Sequence, residues 1–174
     1  RSPSRGLGDV YKRQVILAAA DYLVQPFLSF CLIHEFRMSL ATTEEILDDL
    51  SFFDDWEERY KYIIDLGKEL PEMAESLRTA ERLVKGCQSN VWIEVDREGD
   101  NLLFEVDSDA VIVRGLLAVV MAAYHNKTPA QITAFDIDGY FQQLDLERHL
   151  SPTRGNGLKS IVARIRTIAQ AAQA

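Results

Sequence analysis

Cys87 is the residue whose type and surroundings best suit covalent chemistry. It lies in the segment 84–89, Val-Lys-Gly-Cys-Gln-Ser, at the edge of an apolar run. The other cysteine, Cys31, lies outside the well-patterned part of the chain, so Cys87 has no disulfide partner there, and one thiol does not make a metal site. Nucleophilic chemistry, sulfur chemistry and inert packing remain. Gly86 favours chemistry, because a glycine lets the backbone turn sharply and present the thiol on a loop.

Cys87 has three interpretations. A structural thiol packs as a small hydrophobe, but the neighbours of Cys87 are polar and turn-forming. A hydrolase nucleophile needs a histidine base held nearby, and neither His125 nor His149 lies in a recognised arrangement with it. A sulfur relay needs only a thiolate, a mobile loop and a partner that brings the sulfur, because attack on a persulfide follows the rules of thiol–disulfide exchange. A single accepting thiol suits passing that sulfur onward.

Four further residues are candidates for a site around Cys87. Gln88 and Ser89 are predicted to support its loop. Asp109 is most simply the N-cap of a following helix, with the alternative that it holds the Cys87 loop. Arg154 is predicted to lie in a loop before the last helix, as a solvated side chain or as a contact for an anion or a partner.

Composition excludes several other functions. The three histidines and the cysteine have no metal-ligand spacing, and the segment 155–157, Gly-Asn-Gly, lacks the lysine and preceding strand of a phosphate loop. The net charge of −8, with −10 in residues 38–174, argues against a nucleic-acid binder.

Two cysteines make no disulfide framework and favour a reducing compartment, hence the cytoplasm. An acidic helical region is a solvated face or a partner-docking surface: Asp48, Asp49, Asp54, Asp55, Glu57 and Glu58.

The first 37 residues differ in pattern from the rest. Residues 1–14 are basic and aperiodic, and resemble translated adapter sequence. Residues 15–36 are apolar but interrupted by charged and helix-breaking residues, which makes a poor membrane span, and no convincing cleavage site supports a signal peptide. We expect residues 1–37 to be a non-native or disordered extension, Met38 to be the native start, and residues 38–174 to form the functional domain.

The remaining chain predicts an α+β fold. Apolar residues at spacings near 3.6 predict helices at 43–50, from 54 or 55 to 66, 110–125, from 128 and 156–172. Alternating residues predict strands at 89–97 and 102–106 around a hairpin turn, with a short additional strand at 82–85. This order of elements implies a small antiparallel sheet of about three strands covered by helices.

Four blocks in register resemble those of the SufE family of sulfur acceptors for cysteine desulfurases, which includes CsdE-like relatives. They cover nearly all of residues 43–172. The first two blocks are Trp-Glu-Glu-Arg-Tyr at 56–60, continued by 63–72, and Val-Lys-Gly-Cys-Gln-Ser at 84–89, continued by Val-Trp at 91–92. The other two are Asp-Ser-Asp-Ala at 107–110, continued by 112–116, and Phe-Asp at 135–136, followed by His-Leu-Ser-Pro-Thr-Arg at 149–154 and Gly-Leu at 157–158.

The resemblance implies a function and a set of partners. Cys87 matches the family's acceptor cysteine, which takes persulfide sulfur from a SufS-like desulfurase and so stimulates that enzyme. The sulfur then passes to a SufB-type scaffold for iron–sulfur cluster assembly. The implied fold is the α+β domain of SufE and of IscU-like scaffolds. The pyridoxal phosphate belongs to the desulfurase, and this chain is expected to bind no cofactor, nucleic acid or membrane.

Several alternatives stay open. The chain resembles a sulfur carrier and desulfurase activator rather than an independent enzyme, and a homodimer is one open alternative for its assembly. A CsdE-like relay would pass sulfur to another acceptor, such as a tRNA-modification pathway. A stand-alone thiol enzyme would turn over without a partner. An interaction module in which Cys87 only packs would stimulate a desulfurase equally well after Cys87→Ser.

Overall fold

The structure is a computed structural model, and it describes residues 40–173, apart from the side chain of Glu147. The predictions made for residues 1–37, for Met38 and for Cys31 therefore lie outside the described residues. In chain order the elements are α1 (Thr43–Ser51), α2 (Trp56–Glu69), a 3₁₀ turn (Glu75–Leu77), β1 (Val91–Glu98), β2 (Asn101–Ser108), α3 (Val111–Tyr124), α4 (Pro129–Ala134), α5 (Ile137–Gln143), α6 (Leu146–His149) and α7 (Pro152–Gln173).

The predicted α+β class is confirmed, with an antiparallel hairpin as its sheet. β1 and β2 pair from Val91 opposite Ser108 to Glu98 opposite Asn101. The strand predicted at 82–85 is reduced to a single antiparallel bridge between Leu83 and Trp92. Two backbone hydrogen bonds flank the bridge, from the Val84 amide to the Val91 carbonyl and from the Ile93 amide to the Arg82 carbonyl, and Gly86 then adopts a positive φ of 93° in the loop that leads to β1.

Local capping explains where the helices begin. Thr42 and Thr128 each accept a hydrogen bond from the amide three residues on, and the side chains of Glu45 and Gln131 accept one in return from the cap backbone. These capping boxes start α1 and α4. The last helix begins at Pro152 rather than at residue 156, because a proline with φ already near the helical value suits the first helical position.

α3 is the central helix of the core. Nearly all of its residues from 115 to 124 are buried. It meets α2 at backbone distance, since a Cβ on Gly115 would lie 2.2 Å from the Ile63 carbonyl oxygen and a Cβ on Gly67 would lie 2.5 Å from the Gly115 nitrogen. A glycine commonly ends a helix, but Gly67 lies inside α2, at the point where the backbones of α2 and α3 cross.

A buried carboxylate connects the sheet to these helices. Asp107, at the end of β2, is fully buried. It accepts hydrogen bonds from Arg78 Nη2 at 2.6 Å and from the Met73 amide at 3.2 Å, and Arg114 Nη1 lies 3.2 Å away. The Ser108 amide also donates to Asp107, at 2.8 Å, so two guanidinium groups and two backbone amides compensate the cost of burying the charge. This places the start of α3 directly beside the end of the hairpin.

Within residues 40–173, no helix is long and apolar enough to cross a membrane. The same residues contain no group of three or more histidine, cysteine, aspartate or glutamate side chains that could hold a metal ion.

Candidate functional site

Cys87 lies on the loop that connects the bridge at Leu83 to β1, and Gly86 sets the shape of that loop. The φ of 93° at Gly86 belongs to the left-handed region, which side chains other than glycine rarely adopt. A Cβ there would also lie 2.9 Å from Ser160 Oγ on α7. A glycine at this position therefore allows both the turn and the close approach of the loop to α7.

The thiol of Cys87 is half-buried rather than exposed. Its Sγ donates to the carbonyl oxygen of Gly157 at 3.5 Å. Gly157 has no side chain, so the sulfur can approach its backbone; a Cβ at this position would lie 3.4 Å from the same sulfur. Burial raises the pKa of the Cys87 thiol, whereas Lys85 is exposed to solvent. The resting thiol is consequently protonated at neutral pH and is a weak nucleophile.

A cleft with a volume of about 330 Å³ opens beside this thiol. Cys87, Gln88 and Ser89 form one side of it. The start of α3 and the first turns of α7 form the others, through Ala110, Ile112, Val113, Leu116, Thr153, Arg154, Gly157, Leu158 and Ile161. The cleft thus brings together the cysteine, its two neighbours and Arg154, but not Asp109.

Asp109 fastens the Cys87 loop from outside the cleft. Its Oδ1 accepts from the Asn90 amide at 3.0 Å and its Oδ2 from Asn90 Nδ2 at 2.8 Å. The predicted N-cap role is wrong: Ala110 is the N-cap of α3, without a side-chain cap bond, and its amide donates to Ser108 Oγ at 3.3 Å. Both carboxylate oxygens of Asp109 face Asn90 instead, three residues after Cys87. We call these two contacts the Asp109–Asn90 latch.

Arg154 lies in the first turn of α7, so its predicted position in a loop is wrong. The two glycines after it obscure the helix start in the sequence, yet Gly155 donates its amide to the Ser151 carbonyl at 2.9 Å within the first turn. Arg154 is exposed, and it is the one charged side chain among the described residues that line the cleft. A cation on the cleft lining would favour an anionic group in the cleft.

Neither described histidine serves as a base for Cys87. The Phe104 amide donates to His125 Nδ1 at 3.2 Å, which places His125 against β2. His149 stacks on Trp56 with ring centroids 3.9 Å apart. Neither histidine lines the cleft. Trp56 is half-buried, as a packing role predicts, but sequence reasoning misses its stack with His149, because the two residues lie in different blocks of the sequence.

These features limit the chemistry of the site. Among the residues that the structure describes, the thiol has no adjacent histidine base and no group of metal ligands, and burial raises its pKa. It does have a left-handed glycine beside it, a polar latch on its loop and an open cleft. This arrangement suits a thiol that is inactive at rest and reacts after the loop moves.

The chain is similar to known proteins over most of the residues that the structure describes. Residues 44–169 match the family described as SufE, Fe-S metabolism associated domain. An uncharacterized SufE-like protein of Rhizobium etli is 48% identical over 134 residues, which cover 75% of this chain and 90% of that protein. An uncharacterized SufE-like protein of Rhizobium meliloti is 45% identical over 135 residues, covering 75% and 96%.

One solved structure supports the fold alone. It is described as the solution structure of a hypothetical protein from Thermus thermophilus, and it matches with a TM-score of 0.62 at 16% identity. The match covers 75% of this chain and 95% of that chain.

Proposed function

The chain belongs to the SufE family of proteins associated with Fe–S metabolism, and on that premise we propose that Cys87 accepts sulfur from a cysteine desulfurase as a persulfide. The observation that carries the proposal is the position of Cys87. It is a half-buried thiol on a glycine-hinged loop, beside an open cleft that contains one cation among its described lining residues.

The transfer needs no oxidant and no cofactor on this chain. The desulfurase, with its own pyridoxal phosphate, removes sulfur from L-cysteine and holds it as a cysteine persulfide. The thiolate of Cys87 attacks the terminal sulfur of that persulfide, and the S–S bond on the enzyme breaks. The enzyme cysteine leaves as a thiolate and takes up a proton equivalent to the one that Cys87 has lost. Cys87 then carries the persulfide, and the desulfurase is free for another turnover.

Docking must change the environment of Cys87 before it can react. At rest the thiol faces the Gly157 carbonyl oxygen, and its raised pKa keeps it protonated. Outward movement of the loop would return the sulfur to water, lower its pKa and remove the steric cover of α7. The left-handed Gly86 is suited to act as the hinge, and the Asp109–Asn90 latch opposes the movement.

The loaded protein then delivers the sulfur to a second partner. We propose a SufB-type scaffold that assembles iron–sulfur clusters in the cytoplasm. The acceptor would attack the terminal sulfur of the Cys87 persulfide, and Cys87 would leave as a thiolate, so that the relay returns to its starting state. Arg154 lines the same cleft, and in this proposal its cation favours the persulfide anion until the sulfur is transferred.

Mass spectrometry of the intact chain tests the proposal. The protein is incubated with a SufS-type desulfurase and L-cysteine, without reductant. We expect a gain of about 32 Da, one sulfur atom, at Cys87. Cys31→Ser should still gain the sulfur and Cys87→Ser should not. A parent chain that gains no sulfur, or gains it only at Cys31, would refute the role of Cys87.

A further inference from the structure

Three aromatic residues join the start of α2 to the end of α6. The rings of Trp56 and His149 stack with centroids 3.9 Å apart and planes 17° from parallel. The Tyr60 hydroxyl donates to the main-chain carbonyl of His149 at 3.1 Å. His149 Nε2 also lies 3.3 Å from the Asp145 carboxylate, which orients the ring. We call Trp56, Tyr60 and His149 the aromatic clasp.

The aromatic clasp lies directly before the helix that shelters the thiol. His149 is the last residue of α6, and α7 begins three residues later at Pro152. The first turns of α7 carry Arg154 and Gly157, which line the Cys87 cleft, and the Gly157 carbonyl accepts from the Cys87 sulfur. We call these first turns the α7 wall. A displacement of His149 is therefore transmitted over a short, largely helical segment to that wall.

The first turns of α7 have a cavity on each side. The Cys87 cleft lies on one side of them. A second cavity of about 300 Å³ lies on the other, lined by Phe141, Leu146, Leu150, Ser151, Pro152, Gly155, Asn156, Leu158 and Lys159. Both cavities are open to solvent, and Pro152, Arg154, Asn156 and Lys159 are exposed, whereas Gly157 and Leu158 are buried. Buried side chains therefore hold these turns only in part, and the contacts of His149 at their N-terminal end contribute to holding them in place.

We infer that Trp56 and His149 are positioning residues that hold the first turns of α7, and with them Gly157, against Cys87. They do not contact the sulfur. Loosening their stack lets the α7 wall move into the flanking cavities, and the thiol then loses its carbonyl partner and becomes hydrated. The aromatic clasp thus sets how well the resting thiol is sheltered, and, if the proposed function holds, how readily it accepts sulfur.

The reaction of Cys87 with iodoacetamide across a pH series tests the inference in the full chain with Cys31→Ser. A hydrated thiol reacts at lower pH than a buried one, so we expect the profiles of His149→Ala and Trp56→Ala to shift to lower pH. At neutral pH their rates should rise about threefold or more, which corresponds to half a pKa unit. Trp56→Phe keeps an aromatic partner for His149 and should restore most of the parent profile.

Ile132→Val is the matched control for a general loss of stability. Ile132 is fully buried in α4 and lines neither cavity. Its helix packs near the distal half of α7, where Arg166 donates to the Phe135 carbonyl and Gln173 to Thr133. We expect a lower thermal midpoint but an unchanged alkylation profile. If the variants of the aromatic clasp lower the midpoint in the same way and leave the profile unchanged, the inference is wrong.

A second measurement separates this inference from the proposed function. The same variants are incubated with a desulfurase and L-cysteine, and the rate of sulfur gain at Cys87 is followed by mass. A shifted alkylation profile with no sulfur gain, even in the parent, supports the aromatic clasp and refutes the relay. Sulfur gain with superimposable alkylation profiles supports the relay and refutes the aromatic clasp.

Discussion

Removal of the Asp109–Asn90 latch should increase the fraction of molecules in which the Cys87 loop is open. Asp109→Ala deletes both acceptor oxygens, which receive bonds of 3.0 and 2.8 Å from Asn90. A hydrogen bond contributes about 0.5–1.5 kcal/mol net, and both bonds are exposed to water, so the lower end applies to each. The loss of about 1 kcal/mol raises the open population about fivefold.

The rate at which iodoacetamide labels Cys87 measures this open population. If the thiol reacts only when the loop is open, and opening is fast, labelling of Asp109→Ala should be about fivefold faster than that of the parent at the same pH. Asp109→Asn keeps an acceptor oxygen but loses the charge, so its labelling rate should be intermediate. The midpoint of global unfolding should change little, because the latch lies on the surface.

The refuting result is also specific. Equal labelling rates for the parent and Asp109→Ala, with intact folding, would mean that these two bonds do not hold the thiol at rest. A rise in labelling that is accompanied by an equal loss of global stability would mean that the thiol is exposed by unfolding rather than by loop opening. Hydrogen exchange at the buried amides of α3 distinguishes these cases, because global unfolding exposes them and loop opening does not.

Three further changes have defined outcomes. Gly86→Ala is strained by about 1–2 kcal/mol at its positive φ and crowded by Ser160, so iodoacetamide should label Cys87 faster in this variant than in the parent. Gly99→Ala shares the positive φ but has open space around it, so the labelling rate should not change. Gly115→Ala places a Cβ 2.2 Å from an α2 carbonyl and should lower the unfolding midpoint sharply, whereas Gly155→Ala, with open space, should keep or raise it. Burial lowers the pKa of His125, so the unfolded state binds more protons, and the free energy of unfolding should fall as the pH drops below about 6.5. In His125→Gln, the free energy of unfolding measured by urea titration should depend less on pH.

Much of this protein could be predicted from local sequence. The lone thiol beside a glycine identifies the candidate residue, and the structure places it on a loop beside a cleft. The apolar periodicities and the hairpin pattern predict the α+β class, and the capping boxes at Thr42 and Thr128 agree with the helix starts predicted near 43 and 128. These signals are readable because caps, turns and amphipathic periods depend on residues within a few positions of one another.

The two errors in the sequence prediction have different causes. Local sequence predicts that Asp109 caps the helix next to it, but its oxygens bind Asn90, which lies 19 positions earlier, so a tertiary contact overrides a local preference. The two glycines that follow Arg154 predict a loop, but the helix already begins at Pro152, because a proline favours the first helical position. Here one local signal outweighs another.

The sequence by itself determined that this chain carries one well-placed thiol on a turn, and that helices and a hairpin surround it. Only the tertiary structure decided that the thiol faces inward. The Gly157 carbonyl that receives it lies 70 positions away, and the Tyr60 hydroxyl contacts the His149 carbonyl across 89 positions. No periodicity or cap encodes such pairs, because they arise only when the packed core brings segments far apart in the chain into contact.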